Sequence, residues 1–254
     1  MKILILLGAL ILSSSAFSSY IPFVKSIEQR VINDPRGGSS QRFEGCGPVA
    51  AAMLLSYWQG QRDFEIMSED SFDERVHPTA TISDFYKASW TQKAPAKAKA
   101  PDGKRYNQSF TLPSHMVRGL KKFVKKSNLK DSRKLVVRRL KAKESSKRKL
   151  SVLKELLKKK VPLISLIHNI PACLNSKDNK SGGWHYVVLV GMNEKKKTVD
   201  LLSGWKELDA STSTGPEVHQ RRNHPDSDKG HVRCDQSELI KANPAFYWIE
   251  ENDL

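Results

Sequence analysis

The sequence predicts an α+β protein. Three observations carry this: one helix apolar on every side, two amphipathic lysine-rich helices in mid-chain, and a series of short apolar strands behind them. Helices come first, and the later strands are joined by a hairpin-like connection at Asn193 to Lys196, so the strands are expected to pair antiparallel.

The chain opens with Lys2, an apolar run from Ile3 to Leu12, and the small-residue segment Ala16-Phe17-Ser18. This pattern predicts a signal peptide over residues 1–18 and a secreted or periplasmic protein. Its apolar core is too short to span a bilayer, and no later stretch approaches ~18 uninterrupted apolar residues, so no transmembrane anchor is expected after its removal. Residues 19–254 are expected to form a single domain, long enough to bury a core without disulfide staples.

Residues 20–45 lack periodicity and include the loop Asp34-Pro35-Arg36-Gly37-Gly38. Pro48 then fits the first turn of a helix, where its missing N–H costs nothing, and the helix runs to about Trp58. Val49 to Leu55 are apolar all round, the mark of a central buried helix. Residues 60–112 are polar and irregular, with a low-complexity insertion at about 88–112 (Ala94-Pro95-Ala96-Lys97-Ala98-Lys99-Ala100-Pro101) expected to be mobile and exposed.

Pro113 opens the first amphipathic helix, with Met116, Leu120, Phe123 and Val124 on one face. A short strand is expected at Lys134 to Leu140. Ser145-Ser146 leads the second amphipathic helix, with Leu150, Leu153 and Leu157 facing the core. Val161-Pro162 ends it, and Leu163 to Ile167, Trp184 to Gly191 and Lys197 to Leu202 form strands. The tail from Ser211 to Gln236 is loop-like, and Pro244 to Ile249 adds a last strand.

The net charge of +16 is concentrated. Residues 118–160 hold nineteen Lys plus Arg against Asp131, Glu144 and Glu155, leaving the remainder close to neutral. Such a block attracts anionic polymers or acidic lipid head groups, though lysine-rich solvated helix faces explain it as simply. Nucleic acid is disfavoured, because only Phe123 interleaves the block and stacking on bases wants more.

The three cysteines, Cys46, Cys173 and Cys234, are an odd number for an oxidising compartment, so at least one is left over. If Cys173 pairs with Cys234, Cys46 is the free one; three buried thiols are the alternative. Cys46 stands at a helix start, where unpaired backbone N–H groups and the helix dipole favour a thiolate and lower its pKa. Gly45 and Gly47 clear its flanks for close approach of a substrate backbone. His185 opens an otherwise apolar strand beside Gly182-Gly183, where it can meet a thiolate from another element. His168 ends the preceding strand as a candidate supporting residue. His219, His224, His231 and Cys234 have no spacing that matches a closed metal site, so no metal or other cofactor is expected.

The segment Glu44-Gly45-Cys46-Gly47-Pro48-Val49-Ala50-Ala51-Ala52-Met53-Leu54-Leu55-Ser56-Tyr57-Trp58 resembles the cysteine motif of the peptidase C39-like group of the papain-like superfamily. Val161 to Ile164 and Trp184-His185-Tyr186-Val187-Val188-Leu189-Val190-Gly191 resemble its later strands, so the likeness covers about Gln41 to Trp205. It implies a papain-like fold in which a buried helix carrying the cysteine packs on a sheet carrying the histidine. It also implies a thiol hydrolase with Cys46 as nucleophile and His185 as the base that forms an ion pair with it. Ser203 stands before Gly204 where the family usually has the Asp or Asn that orients the imidazole; Asp200 is the alternative, on the opposite strand face. Gln41, five residues before Cys46 where six is usual, is the counterpart of the oxyanion glutamine.

The substrate expected from this likeness is a peptide or protein, or a cell-wall amide, met after export. Transporter-fused relatives process leader peptides, but this sequence has neither transporter spans nor an ATP-binding loop. The competing expectation is a catalytically weakened papain-like domain that binds a peptide or an anionic envelope polymer through residues 118–160.

Overall fold

A computed structural model describes residues 18–22, 24–37, 40–68, 77–99, 104–174, 184–204 and 231–252. Residues 1–17 of the expected signal peptide, most of the expected loop-like tail, and His219 and His224 lie outside the described residues.

The architecture is α+β. The main sheet runs β10 (His231–Asp235), β9 (Thr198–Leu202), β8 (His185–Asn193), β7 (Leu163–Ile167), β11 (Ala245–Glu251), β6 (Leu135–Leu140), with every neighbouring pair antiparallel. β1 (Ser18–Tyr20) adds a further antiparallel pairing to β8. The apolar runs at 163–167 and 185–192 are fully buried, as strands covered on both faces must be.

α1 (Cys46–Arg62) lies against β8 and β7. Ala51, Ala52, Leu54 and Leu55 are wholly buried, so the helix is central, as its all-round apolarity predicts. It stops where Asp63 turns left-handed (φ 58°) and returns its N–H to the Trp58 carbonyl. α3 (Pro113–Asn128) buries Met116, Leu120, Phe123 and Val124. α4 (Ser146–Lys158) begins at Ser145, whose hydroxyl accepts the Arg148 N–H. Lys149 departs from the expected solvated lysine face: it is buried, donates to Asn243 Oδ1 at 2.9 Å, and burial lowers its pKa.

Three segments differ from expectation. Residues 20–45 contain the short antiparallel pair β2 (Val31–Asn33) and β3 (Gln41–Phe43), turned at Gly37 with φ 100°. Within 60–112, α2 (Thr79–Lys87) buries Thr81, Ile82, Phe85 and Tyr86. The insertion expected to be irregular at 88–112 is a hairpin, β4 (Thr91–Lys99) against β5 (Arg105–Thr111), in a second sheet ordered β2, β3, β5, β4. Its register shifts between Lys93 and Lys97, the interval that holds Pro95, which has no N–H to give a ladder.

The tail also contains more than a loop: β10 pairs with β9, and α5 (Gln236–Lys241) follows, capped by Asp235. Cys234 on β10 is disulfide-bonded to Cys173 with Cα atoms 5.3 Å apart, and Cys46 is free.

Candidate active site

Cys46 is the first residue of α1, and Gly45 before it is extended (φ −73°, ψ 142°). No side chain caps this helix, so its first N–H groups stay open toward the sulfur side. The Gly45 N–H is held by Tyr86 Oη at 2.7 Å, in a setting where burial pushes the Tyr86 pKa up to about 12. The flanking glycines serve packing: a Cβ on Gly47 would lie 2.4 Å from Thr111 Oγ1, and one on Gly45 3.2 Å from Ser109 Cβ. The close approach expected for a substrate backbone is thus filled by β5. Gly47→Ala is expected to cost about 1–3 kcal/mol; an unchanged urea midpoint would contradict this packing.

The thiol environment reverses the sequence expectation. Burial pushes the Cys46 pKa up, and the backbone N–H groups of Tyr186, Gly47 and Cys46 itself only partly counter it. The packing of α1 on β8 brings together the elements that Cys46 and His185 begin. Cys46 is half-buried and His185 is buried.

The His185 ring is fixed by the Ser203 carbonyl, 3.0 Å from Nε2. A carbonyl only accepts, so Nε2 carries the proton and Nδ1 keeps a lone pair. Burial depresses the His185 pKa to about 3, and the Ser203 contact opposes this more weakly. Ser203 meets His185 through its backbone carbonyl, at 3.0 Å, whereas the sequence pattern points to its hydroxyl. Asp200 is elsewhere: it pairs with Gly191, six residues or ~20 Å along β8 from His185, and it accepts from Arg233 Nε at 2.7 Å.

Gln41 begins β3 with its side chain exposed, while Arg42 next to it is buried with its guanidinium over the Tyr86 ring at 5.3 Å. By strand alternation the Gln41 amide faces away from the Tyr86 and Gly45 side.

Sequence reasoning missed Gln29 and Glu44. Buried Gln29 joins both halves of the site: its N–H donates to the Gly204 carbonyl at 2.9 Å, and its Nε2 donates to the Glu44 carbonyl, two residues before Cys46. Buried Glu44 takes the Arg30 N–H at 2.9 Å and faces His77 Nε2 at 3.2 Å. The usable signal for Gln29 was an isolated amide two residues beyond Ile27, which is itself buried. His168 binds the Asn243 carbonyl through Nδ1 at 2.8 Å and meets exposed Trp184 edge-on. No group of three metal-ligating side chains occurs among the described residues.

A cysteine thus heads the central helix, and the helix packs on an antiparallel sheet whose central strand a histidine opens. The chain belongs to the Peptidase_C39 like family, whose model matches residues 23–212. Among solved structures it is similar to a fragment of prointerpain A from Prevotella intermedia, with 13% identity, a TM-score of 0.49 and coverage of 91% of this chain and 71% of that one. It is also similar to xylellain, a cysteine protease from Xylella fastidiosa, with 12% identity, a TM-score of 0.38 and coverage of 92% and 85%. No curated protein matches the sequence.

Proposed function

We propose that the protein is an exported peptidase or amidase that cleaves through Cys46 and His185. The observation that carries this is that the helix headed by Cys46 packs on the strand opened by His185, whose ring is held through Nε2 by the Ser203 carbonyl so that Nδ1 can act as base.

Cys46 Sγ attacks the scissile carbonyl carbon as its proton passes to His185 Nδ1. The resulting oxyanion is held by the Cys46 N–H and by an amide side chain. Gln29 is the better donor, being buried and tied to the Glu44 carbonyl, whereas Gln41 is exposed. His185 returns the proton to the leaving amine, giving a thioester. Water then attacks that thioester as His185 takes its proton, and the acid product and free thiol are released.

Both resting groups are expected to be neutral between about pH 3, where His185 is protonated, and the raised value of Cys46. Proton transfer then accompanies attack, in place of the resting ion pair that the family likeness implies.

The test is turnover of fluorogenic peptides before and after iodoacetamide. With Cys173 and Cys234 bonded to each other, Cys46 is the one thiol open to alkylation, and its modification should abolish turnover. Turnover that survives full labelling of Cys46 would end the proposal. Gln29→Ala is expected to lower kcat about 100-fold or more with little change in KM, and Gln41→Ala to leave both near wild type; the reverse ranking would return the role to Gln41.

Export is supported by the leader pattern of residues 1–18 and by the Cys173–Cys234 disulfide, a bond that persists in oxidising compartments. N-terminal sequencing of the protein from cell fractions tests it: a chain beginning near residue 19 outside the cytoplasm is expected, and an uncleaved cytosolic chain would refute it.

A further inference from the structure

We propose that the outer face of α3, ending at Leu129, docks the protein on the surface of an anionic bilayer. From Arg118 onward, the exposed positions of α3 are Arg118, Lys121, Lys122, Lys125 and Lys126, all cations, and the helix contains no Asp or Glu. Its opposite face is buried through Met116, Leu120, Phe123 and Val124. The cationic face is therefore held outward by the fold.

Some cations elsewhere in the basic block are neutralised. Lys130 pairs with Glu65, Arg138 with Glu250 and Lys159 with Glu155. Among the described residues, no carboxylate pairs with the five cations of α3; Lys122 lies over the Trp90 ring at 5.4 Å. Arg118 and Lys122, Lys121 and Lys125, and Lys122 and Lys126 are like charges one helical turn apart, which works against the helix. An ordinary solvated face intersperses both signs and avoids this repulsion. An external anionic surface relieves it.

Leu129 selects the kind of anion. It caps the C-terminal end of α3, is 80% exposed, and stands between Lys126 and Lys130. A dissolved polyanion would satisfy the ammonium groups and leave this leucine in water. A bilayer accepts both: head groups take the charges along a strip of ~16 Å, and the acyl boundary takes the leucine, with lysine stems lying between. The test reads vesicle binding and so does not depend on turnover.

The experiment is cosedimentation of the full chain with vesicles of phosphatidylglycerol and phosphatidylcholine, or of phosphatidylcholine alone, at low and high salt. Binding is expected only to the anionic vesicles and is expected to fall with salt. Each Lys→Gln change at 121, 122, 125 and 126 is expected to weaken it about fivefold, and Leu129→Ser to weaken it about fivefold as well. The four-lysine variant should melt no lower than wild type, since it removes repulsion. No preference for anionic vesicles would overturn the proposal. An equal loss on neutralising Lys141, Lys143, Lys147 and Lys158 would also overturn it, as that would be net charge alone. So would a silent Leu129→Ser combined with full competition by soluble polyphosphate, which would assign the face to a dissolved polyanion.

Discussion

His185→Ala is expected to lower peptide turnover by about 10³ to 10⁴-fold and, at the same time, to lower the pKa of Cys46. The first effect is the loss of the general base. The second follows from what raises the thiol: burial dominates, and removing the imidazole admits water to the sulfur. In wild type the iodoacetamide rate should climb with pH through a midpoint above 9, the ordinary thiol value, and in the variant that midpoint should move down. A resting ion pair requires the opposite sign, a midpoint below the ordinary value that rises when His185 is removed. The experiment therefore separates the two mechanisms by direction alone. Cys46→Ala supplies the inactive reference, and alkylation of the His185→Ala chain shows that a reactive thiol remains.

The same burial makes stability depend on pH. His185 has a folded value of about 3, below its ordinary 6.5. Its contribution to stability is fully present above pH 6.5 and is lost as pH falls toward 3, because only the unfolded chain gains the proton in that interval. The loss is on the order of a few kcal/mol. Urea unfolding at intervals across this range should show a slope that His185→Asn flattens, and parallel curves for the two proteins would show that His185 is hydrated in the native state.

What the sequence made legible is what periodicity and apolar runs encode. α1 was visible because Val49 to Leu55 leave no polar side, and β7 and β8 because their apolar runs are longer than chance loops tolerate. β2 and β3 have three residues each, too few for an alternation to register, and their pairing is set by the Gly37 turn. The β4 tract has the composition of a linker but gains its strand from pairing with β5, a tertiary effect that composition does not carry. Within α2, Ile82, Phe85 and Tyr86 did follow helical spacing, hidden in a polar neighbourhood. At the candidate site, Cys46 and His185 begin α1 and β8, the positions that the helix-start and strand-start patterns gave them. Gln29 was not, since its role comes from two backbone carbonyls, at Glu44 and Gly204, brought together by the fold. Backbone partners leave no side-chain pattern, and for the same reason the contact that orients His185 could only be sought among side chains.

Removing the Cys173–Cys234 bond, by Cys173→Ala with Cys234→Ala, is expected to cost roughly 4 kcal/mol, from the entropy of closing a loop across a sequence separation of 61. For a chain of this length that is a fall of about 10–15 °C in melting temperature. The loop it closes contains β8 and β9, and the bond fastens edge strand β10 to the 3-10 turn Ala172–Leu174. His185 and Ser203 are nevertheless set by the β8 and β9 ladder, from Val188 opposite Leu202 onward, which does not require the disulfide. Peptide turnover well below the new melting point should therefore stay within a few-fold of wild type. Calorimetry and turnover on the same variant check both statements. A melting point within a degree or two of wild type would mean that the unfolded chain is already confined, and a collapse of turnover at low temperature would mean that β10 has to be anchored for β9 to present the Ser203 carbonyl to His185.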